Sequence, residues 1–286
     1  MREKVALVTG ANSGIGRETA TALASLGVLT VLACRDTAKA EHAAAHVRKM
    51  SGNDNVATTH IDLNDLHTVD QCVDDVLDRF STLDVLVNNA GGYWDVRSTT
   101  AQGFEQHFGV NYLSHYLLTH RLLNVLGGVA PARIVNVTSV GHRAAKSIKW
   151  HDLQFERGWT VSRAYGQSKL AQILFTREIA RRFGDRGVIA HAAHPGVVRS
   201  GFGHDGDTHG AQAFLLRAVS MFGVSPAVGA RTSTHLAISD DAGCCNGGYW
   251  VRGKQRSPSK AARDEHAARR LWDVSAQLVT AAGVRL

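Results

Sequence analysis

Short apolar runs alternate with longer amphipathic stretches along the chain. The runs are Val5–Thr9, Val28–Cys34, Val56–Asp62, Val85–Asn88, Arg133–Val137 and Val188–His194, each of strand length. Between them, Gly16–Leu26, Thr37–Met50, Leu66–Phe80, Gln102–Leu126 and Ser162–Phe183 carry apolar residues at helical spacing. A run such as Val28 to Cys34 does not alternate apolar with polar. It predicts a strand buried on both faces, as in a parallel sheet covered by helices. Repetition of this βα unit predicts an α/β fold: one doubly wound parallel sheet with helices on both faces, in a single domain over residues 1–286. No linker, internal repeat or low-complexity tract interrupts the pattern. Crossovers should be right-handed, and ligands on such sheets bind outside the carboxyl ends of the strands. The strand ends are therefore where chemistry is expected.

Composition narrows the class. Of 286 residues, 44% are hydrophobic and 20% charged, which excludes a disordered chain. No run approaches the roughly 18 consecutive apolar residues of a membrane helix. Val5-Ala6-Leu7-Val8 is too short for a signal-peptide core. A cytoplasmic location is the expectation. Cys34, Cys72, Cys244 and Cys245 form no CxxC metal pair. The net charge of +7 raises nucleic acid as a partner, but the bases are interspersed with 25 acids. The densest basic group, Lys254, Arg256, Lys260, Arg263, Arg269 and Arg270, reads as a solvated helix face. Nucleic acid is not expected; a phosphate-bearing small ligand accounts better for any local positive field.

The first strand runs into Thr9-Gly10-Ala11-Asn12-Ser13-Gly14-Ile15-Gly16-Arg17. Gly10, Gly14 and Gly16 permit a tight turn, close approach of backbone to a phosphate, and a helix starting against it. Asn12, Ser13 and Ile15 complete this candidate cofactor loop. The spacing is GxxxGxG rather than the GxGxxG of the commonest dinucleotide fingerprint. The second strand ends in Cys34-Arg35-Asp36. Rossmann-type sites that prefer NAD place an acid there for the ribose 2′-hydroxyl. Here Cys34 and Arg35 come first, and Arg17 follows the glycine loop. Two guanidinium groups suit a 2′-phosphate, which a carboxylate would repel. NADP(H) is the preferred cofactor on this reading, with NAD(H) left open by Asp36. Asp36 can instead cap the helix starting at Thr37. Asp62 and Leu63 at the end of the third strand, and Asn89, Ala90 and Gly91 at the end of the fourth, fit an adenine edge and a close cofactor backbone. Taken singly, each is also ordinary turn chemistry.

Ser139 follows the fifth strand. Tyr165 and Lys169 are four apart on a helical pattern and point to one face. An ammonium close to a phenol favours the phenolate and should lower the tyrosine pKa. A serine hydroxyl can hold a substrate oxygen. Asn111, in the preceding helix, is a candidate for ordering a proton-relay water. Any YxxxK pair alone arises by chance; the specificity lies in the ordered set.

That set, with Asn88-Asn89-Ala90-Gly91 and Pro195-Gly196, resembles the motif series of the short-chain dehydrogenase/reductase family over nearly the whole chain. Ala33-Cys34-Arg35-Asp36, Gly103-Phe104-Glu105, Asn111 to His115, Ser168 to Ala171 and Arg270-Leu271-Trp272 are similar to the retinol dehydrogenase and WW-domain oxidoreductase branch. The resemblance implies Tyr165 as acid/base, Lys169 holding the nicotinamide ribose and tuning Tyr165, Ser139 orienting the carbonyl or alcohol, and Asn111 supporting the relay. It implies a cofactor site that also includes Pro195, Gly196 and Val198, and a small-molecule carbonyl or alcohol substrate. Self-association is left open. Ser200 stands where the family more often has Thr, and the membrane anchor that animal relatives often carry is not seen here.

A regulator binding cofactor without turnover is the competing class; such proteins usually lose the Tyr or the Lys, and both are present here. His42 and His46, at i and i+4, read as two solvent-facing histidines rather than a metal pair. Tyr93, Trp94, His142, Arg143 and Trp150 either line a substrate pocket or pack beneath loops. The apolar stretch Ala213 to Phe222 follows the polar, Gly- and His-rich Ser200 to Gly210; it reads as part of a substrate lid at about 200–224 over a lipophilic substrate, ahead of an oligomer contact, a membrane-surface helix or plain core.

Overall fold

The computed structural model describes residues 4–127, 131–199 and 223–286. In chain order the elements begin β1 (Val5–Thr9), α1 (Gly14–Ala24), β2 (Leu29–Cys34), α2 (Thr37–Ser51), β3 (Val56–His60), α3 (Leu66–Arg79) and β4 (Val85–Asn88). A composite helix follows, made of α4 (Gln106–Phe108), a π-helical segment (Gly109–Leu113) and α5 (Ser114–Leu122). Then come β5 (Ala132–Val137), α6 (Val161–Phe183), β6 (Val188–His194), α7 (Pro226–Ile238), β7 (Tyr249–Val251), β8 (Lys254–Arg256) and α8 (Glu265–Ala281). The eight strands form one sheet in the order β3-β2-β1-β4-β5-β6-β7-β8. All pairings are parallel except that of β8, which returns antiparallel on β7. The expected single-domain, doubly wound α/β fold is what the chain adopts.

The continuous apolar runs are buried as predicted: all five residues of β1 lie in the core. One face of the sheet packs residues of α3, α5, α6 and α8, among them Val69, Leu118, Leu174 and Leu271. The other packs α1, α2 and α7 through Ala20, Leu23, Ala44, Val47 and Leu236. The chain moves outward from β1 to β2 and β3, then crosses back to β4 on the other side. That reversal opens a crevice at the carboxyl ends of β1 and β4.

Several boundaries differ from those expected. The helix expected over Gln102–Leu126 starts only at Gln106. Gly103 sits at φ +81° in a turn closed by Gly103 N–H donating to Thr100 O, and Glu105 caps the helix through Phe108 N–H. The far end stops at Leu122, and Leu126 bridges to Leu83 instead. The strand expected to reach Asp62 ends at His60, because Asp62 joins Thr68 in a hydrogen-bonded turn. The basic group at the C-terminal end is solvent-exposed but is not one helix face. Lys254 and Arg256 lie on β8, Lys260 and Arg263 at a short 3₁₀ turn, and Arg269 and Arg270 on α8. No described helix is long and apolar enough to cross a membrane.

Candidate active site

The glycine loop after β1 is held by β4. Asn89 Nδ2 donates to Thr9 O over 2.8 Å, and the Asn89 and Ala90 amides both donate to Thr9 Oγ1, at 2.9 and 3.0 Å. Gly10 sits at φ +64°, a left-handed conformation that glycine adopts without penalty. At Gly16 a Cβ would stand 2.3 Å from Gly10 O and 2.5 Å from Asn89 Nδ2. Gly16→Ala should therefore force loop and helix apart. A loss of about 1–3 kcal/mol in stability is expected, with weakened cofactor binding. Thermal melting and cofactor titration check it; an unchanged melting point with unchanged affinity would contradict the close packing.

Beyond the loop, Asn12, Ser13 and Arg17 line a cleft of about 410 Å³ together with Lys39, His42, Ala43 and His46 of α2. Arg17 Nε is buried and has no hydrogen-bond partner among the described residues. Arg35 is exposed directly after β2. Asp36 is engaged as the N-cap of α2, accepting from Lys39 N–H at 2.9 Å. Cys34 is buried, which pushes its thiol up to about 11, and its sulfur faces the backbone amides of Ala11 and Asn12. So a thiol, not a carboxylate, meets the loop. An orphaned guanidinium nitrogen beside a basic cleft fits a phosphate-bearing dinucleotide. His42 and His46 do present one helix face, as their spacing requires, and that face borders this cleft. No metal-type cluster of His, Cys, Asp or Glu occurs among the described residues.

On the other side of the crevice, Asp62 accepts from Asn64 N–H at 3.0 Å, and Leu63 is buried, its carbonyl accepting from Ser114 Oγ at 2.6 Å. Gly91 lies against Asn111: a Cβ there would be 2.7 Å from Asn111 Oδ1. Asn111 is wholly buried in the π-helical segment, its amide bonded to Gly92 N and Gly92 O at 2.8 and 3.1 Å. Gly196, after Pro195, sits at φ +90°. Val198 bridges Val224, so the chain enters and leaves 200–222 side by side. The expected lid and Ser200 lie almost wholly outside the described residues. Val198 and Ile15 both pack on Gly229 of α7, an element the apolar pattern did not reveal.

Helix α6 delivers Tyr165 and Lys169 together. Buried Asn88, Asn136, Thr119 and Thr176 link β4, β5, α5 and α6 through bonds of 2.8–2.9 Å, which fixes α6 against the strand ends. Tyr165 hydrogen-bonds Ser139, and its ring edge packs under Gly141. Lys169 Nζ lies 5.5 Å from the Tyr165 ring centroid. All four expected residues thus meet in one place. The electrostatics differ from expectation. Burial raises the Tyr165 phenol to about 12, against a lowering contribution from the Ser139 bond. Burial also drops Lys169 to about 7. The ammonium sits over the ring and is itself desolvated, so burial outweighs its pull on the phenol.

Tyr93 meets Tyr165 edge to face, centroids 5.0 Å apart, and so lines the site. His142, Arg143 and Trp150 instead support loops: His142 packs on Tyr249, Arg143 donates to Ser257 O, and Trp150 lies beneath Arg270. Sequence reasoning gave no role at the site to Glu105 or His107, both buried behind it. Glu105 accepts from Trp159 Nε1 at 3.1 Å and pairs with His107 Nδ1 at 2.9 Å. His107 Nε2 accepts from Trp94 N–H at 3.1 Å, and its ring lies 5.9 Å from that of Tyr165. An acid two residues from a histidine at a helix start was the available signal.

The short chain dehydrogenase family matches residues 4–209. The chain belongs to the short-chain dehydrogenase/reductase family. It is 43% identical over 277 residues to human retinol dehydrogenase 12, covering 96% of this chain and 86% of that protein. To human retinol dehydrogenase 13 it is 41% identical over 280 residues, covering 96% and 84%. Among solved structures, an uncharacterised protein from Mycobacterium paratuberculosis matches at 34% identity and a TM-score of 0.77, covering 97% of this chain and 93% of that one. The short-chain dehydrogenase described here is thus an oxidoreductase of the retinol dehydrogenase-like branch, from a family that acts on CH–OH groups and binds NAD(P).

Proposed function

We propose that this short-chain dehydrogenase interconverts a lipophilic alcohol and its aldehyde or ketone with NADP(H), using Tyr165 as the acid/base. The observation that carries the reading is the meeting of Ser139, Tyr165, Lys169 and Asn111 beside the cofactor crevice. When bound, the nicotinamide supplies or accepts the hydride at the carbonyl carbon. Ser139 and Tyr165 hold the substrate oxygen between two hydroxyls. Tyr165 gives that oxygen a proton in reduction and takes it back in oxidation. Lys169 holds the ribose and, while charged, favours the phenolate. Arg17 and Arg35 would hold the 2′-phosphate, and Gly10, Asn12, Ser13, Gly14, Ile15 and Gly16 the pyrophosphate side. Asp62, Leu63, Asn89, Ala90 and Gly91 would border the adenosine; Pro195, Gly196 and Val198 the carboxamide. A soluble, cytoplasmic enzyme is in keeping with this reading.

Lipophilic substrates are favoured by the half-buried aromatics Tyr93 and Trp94 at the site, and by Val140 and Val197. These valines directly follow Ser139 and Gly196 and are each 50% exposed. Relatives named retinol dehydrogenases point the same way. The test is NADPH oxidation against retinal, long-chain aldehydes and apolar ketones, beside sugars and small keto acids. A higher kcat/KM for the apolar set is expected. Equal or higher values for sugars and acids would overturn the substrate class.

A further inference from the structure

We infer that Gln172 is a positioning residue of this site: its side-chain amide ties the Lys169 amine to the backbone carbonyl of Asn111, the residue expected to order a relay water. The inference rests on the proposed roles of Lys169 and Tyr165. Gln172 follows Lys169 by three residues on α6 and is buried. Lys169 Nζ donates to Gln172 Oε1 over 3.0 Å, while the Val137 carbonyl is at 3.4 Å, the long end of the hydrogen-bond range. On its other side, Gln172 Nε2 donates to Asn111 O over 2.8 Å. A carbonyl oxygen has two lone pairs. His115 Nδ1, 3.1 Å from Asn111 O, takes the second. Both acceptor positions of Asn111 are therefore filled by side chains of this chain.

The amide can stand only one way round. Turned over, its NH₂ would face an ammonium and its oxygen a carbonyl. Its two partners thus fix its orientation, and it in turn fixes Nζ. Unlike a water, a carboxamide in this position holds the amine without providing a hydroxyl through which a proton could pass. Lys169 is anchored on the Asn111 side, and its proton exchange is left to the face it shares with Tyr165.

Among the described residues, the groups facing Lys169 are few. Tyr165 shares its helix. His115, from α5, is held neutral by burial, which pushes it down to about 4; its Nε2 lies 3.1 Å from Thr9 Oγ1. Thr138 of the β5 end donates to the Lys169 carbonyl and carries no charge, and Gly91 offers none from β4. The Gln172 oxygen is accordingly the main polar support of the charged amine against desolvation.

Two variants test this. Gln172→Leu removes both bonds at similar volume; Gln172→Glu keeps an acceptor for Lys169, adds a charge, and loses the donor to Asn111. Each is followed by NADPH affinity against pH, by the pH profile of kcat/KM for carbonyl reduction, and by thermal melting. Loss of the acceptor makes the ammonium easier to deprotonate, so the alkaline fall-off should move down by about one pH unit in the Leu variant, with about a tenfold lower kcat at neutral pH. The carboxylate should move the fall-off up by about one unit or more. Opposite shifts in two folded variants are not produced by a merely structural residue. Wild-type profiles in both would overturn the inference. If the Leu variant does not fold, the upward shift in the Glu variant decides. If the wild-type chain reduces no carbonyl, the proposed activity falls; the affinity profiles then judge Gln172 alone, unmoved profiles counting against it.

Discussion

Tyr165→Phe should bind NADPH as tightly as the wild-type chain and lose turnover by about 10²–10⁴-fold, the usual contribution of one positioned acid/base. The ring stays, so its edge contacts with Tyr93 and its packing under Gly141 stay too. What goes is the hydroxyl that Ser139 bonds. The loss should fall on kcat with KM little changed, because the proton moves only in the transition state. The direction of the reaction adds a second signature. With the phenol at about 12, Tyr165 is protonated throughout the neutral range. Reduction needs that proton, so its rate should not rise between neutral and mildly alkaline pH. Oxidation needs the phenolate, whose fraction grows about tenfold per pH unit below the pKa, so alcohol oxidation should accelerate as pH rises. Stopped-flow or steady-state rates in both directions, with cofactor affinity measured alongside, check both statements. A Phe variant turning over near the wild-type rate would remove Tyr165 from the chemistry.

How far the chain could be read before folding depended on what kind of signal each element carried. β1, β4 and β6 match their apolar runs to the residue, because strands buried on both faces leave an uninterrupted apolar word. α7 left no such word: Pro226–Ile238 is built mostly from Ala, Gly, Thr and Ser, and packs closely because those side chains are small. β7 and β8 are three residues each and owe their extended form to the sheet edge they join. In the Gln102–Leu126 stretch the helical period continues through Gly103, but the backbone there turns at positive φ, which periodicity does not register. At the site, Tyr165 and Lys169 were legible because four-residue spacing on a helix is local. Gln172 was not, since a glutamine on a helix ordinarily points to water, and its two partners come from α6 and from the π-helical segment. Glu105 and His107 escaped for the same reason: Trp94 and Trp159 reach them from loops distant in sequence. The pKa values also belong to the fold. Sequence placed an ammonium beside a phenol, but only burial decides that both groups are pushed towards their neutral forms.

Arg35→Ala should weaken NADPH binding by about 10- to 150-fold while leaving NADH binding within about twofold, one lost charge-assisted hydrogen bond to a phosphate being worth about 1.5–3 kcal/mol. The expectation rests on three features at the end of β2. Cys34 faces the loop amides where an NAD-selective site would place an acid. Asp36, the acid that is nearby, is engaged in the cap of α2 and faces Lys39 at 3.8 Å. Arg17 brings a second guanidinium, its Nε buried with no hydrogen-bond partner among the described residues, to the cleft that Lys39 also lines. Arg17→Ala should therefore act in the same direction, and the double variant should bring the two cofactors to similar affinity. Arg35 is solvent-exposed, so the preference should shrink as salt screens it. Isothermal titration with NADP, NAD and 2′,5′-ADP separates phosphate recognition from the rest of the dinucleotide. Equal wild-type affinities for NADP and NAD would defeat the two-arginine argument. A loss in Arg35→Ala that fell equally on both cofactors would show that the side chain supports the loop rather than the phosphate.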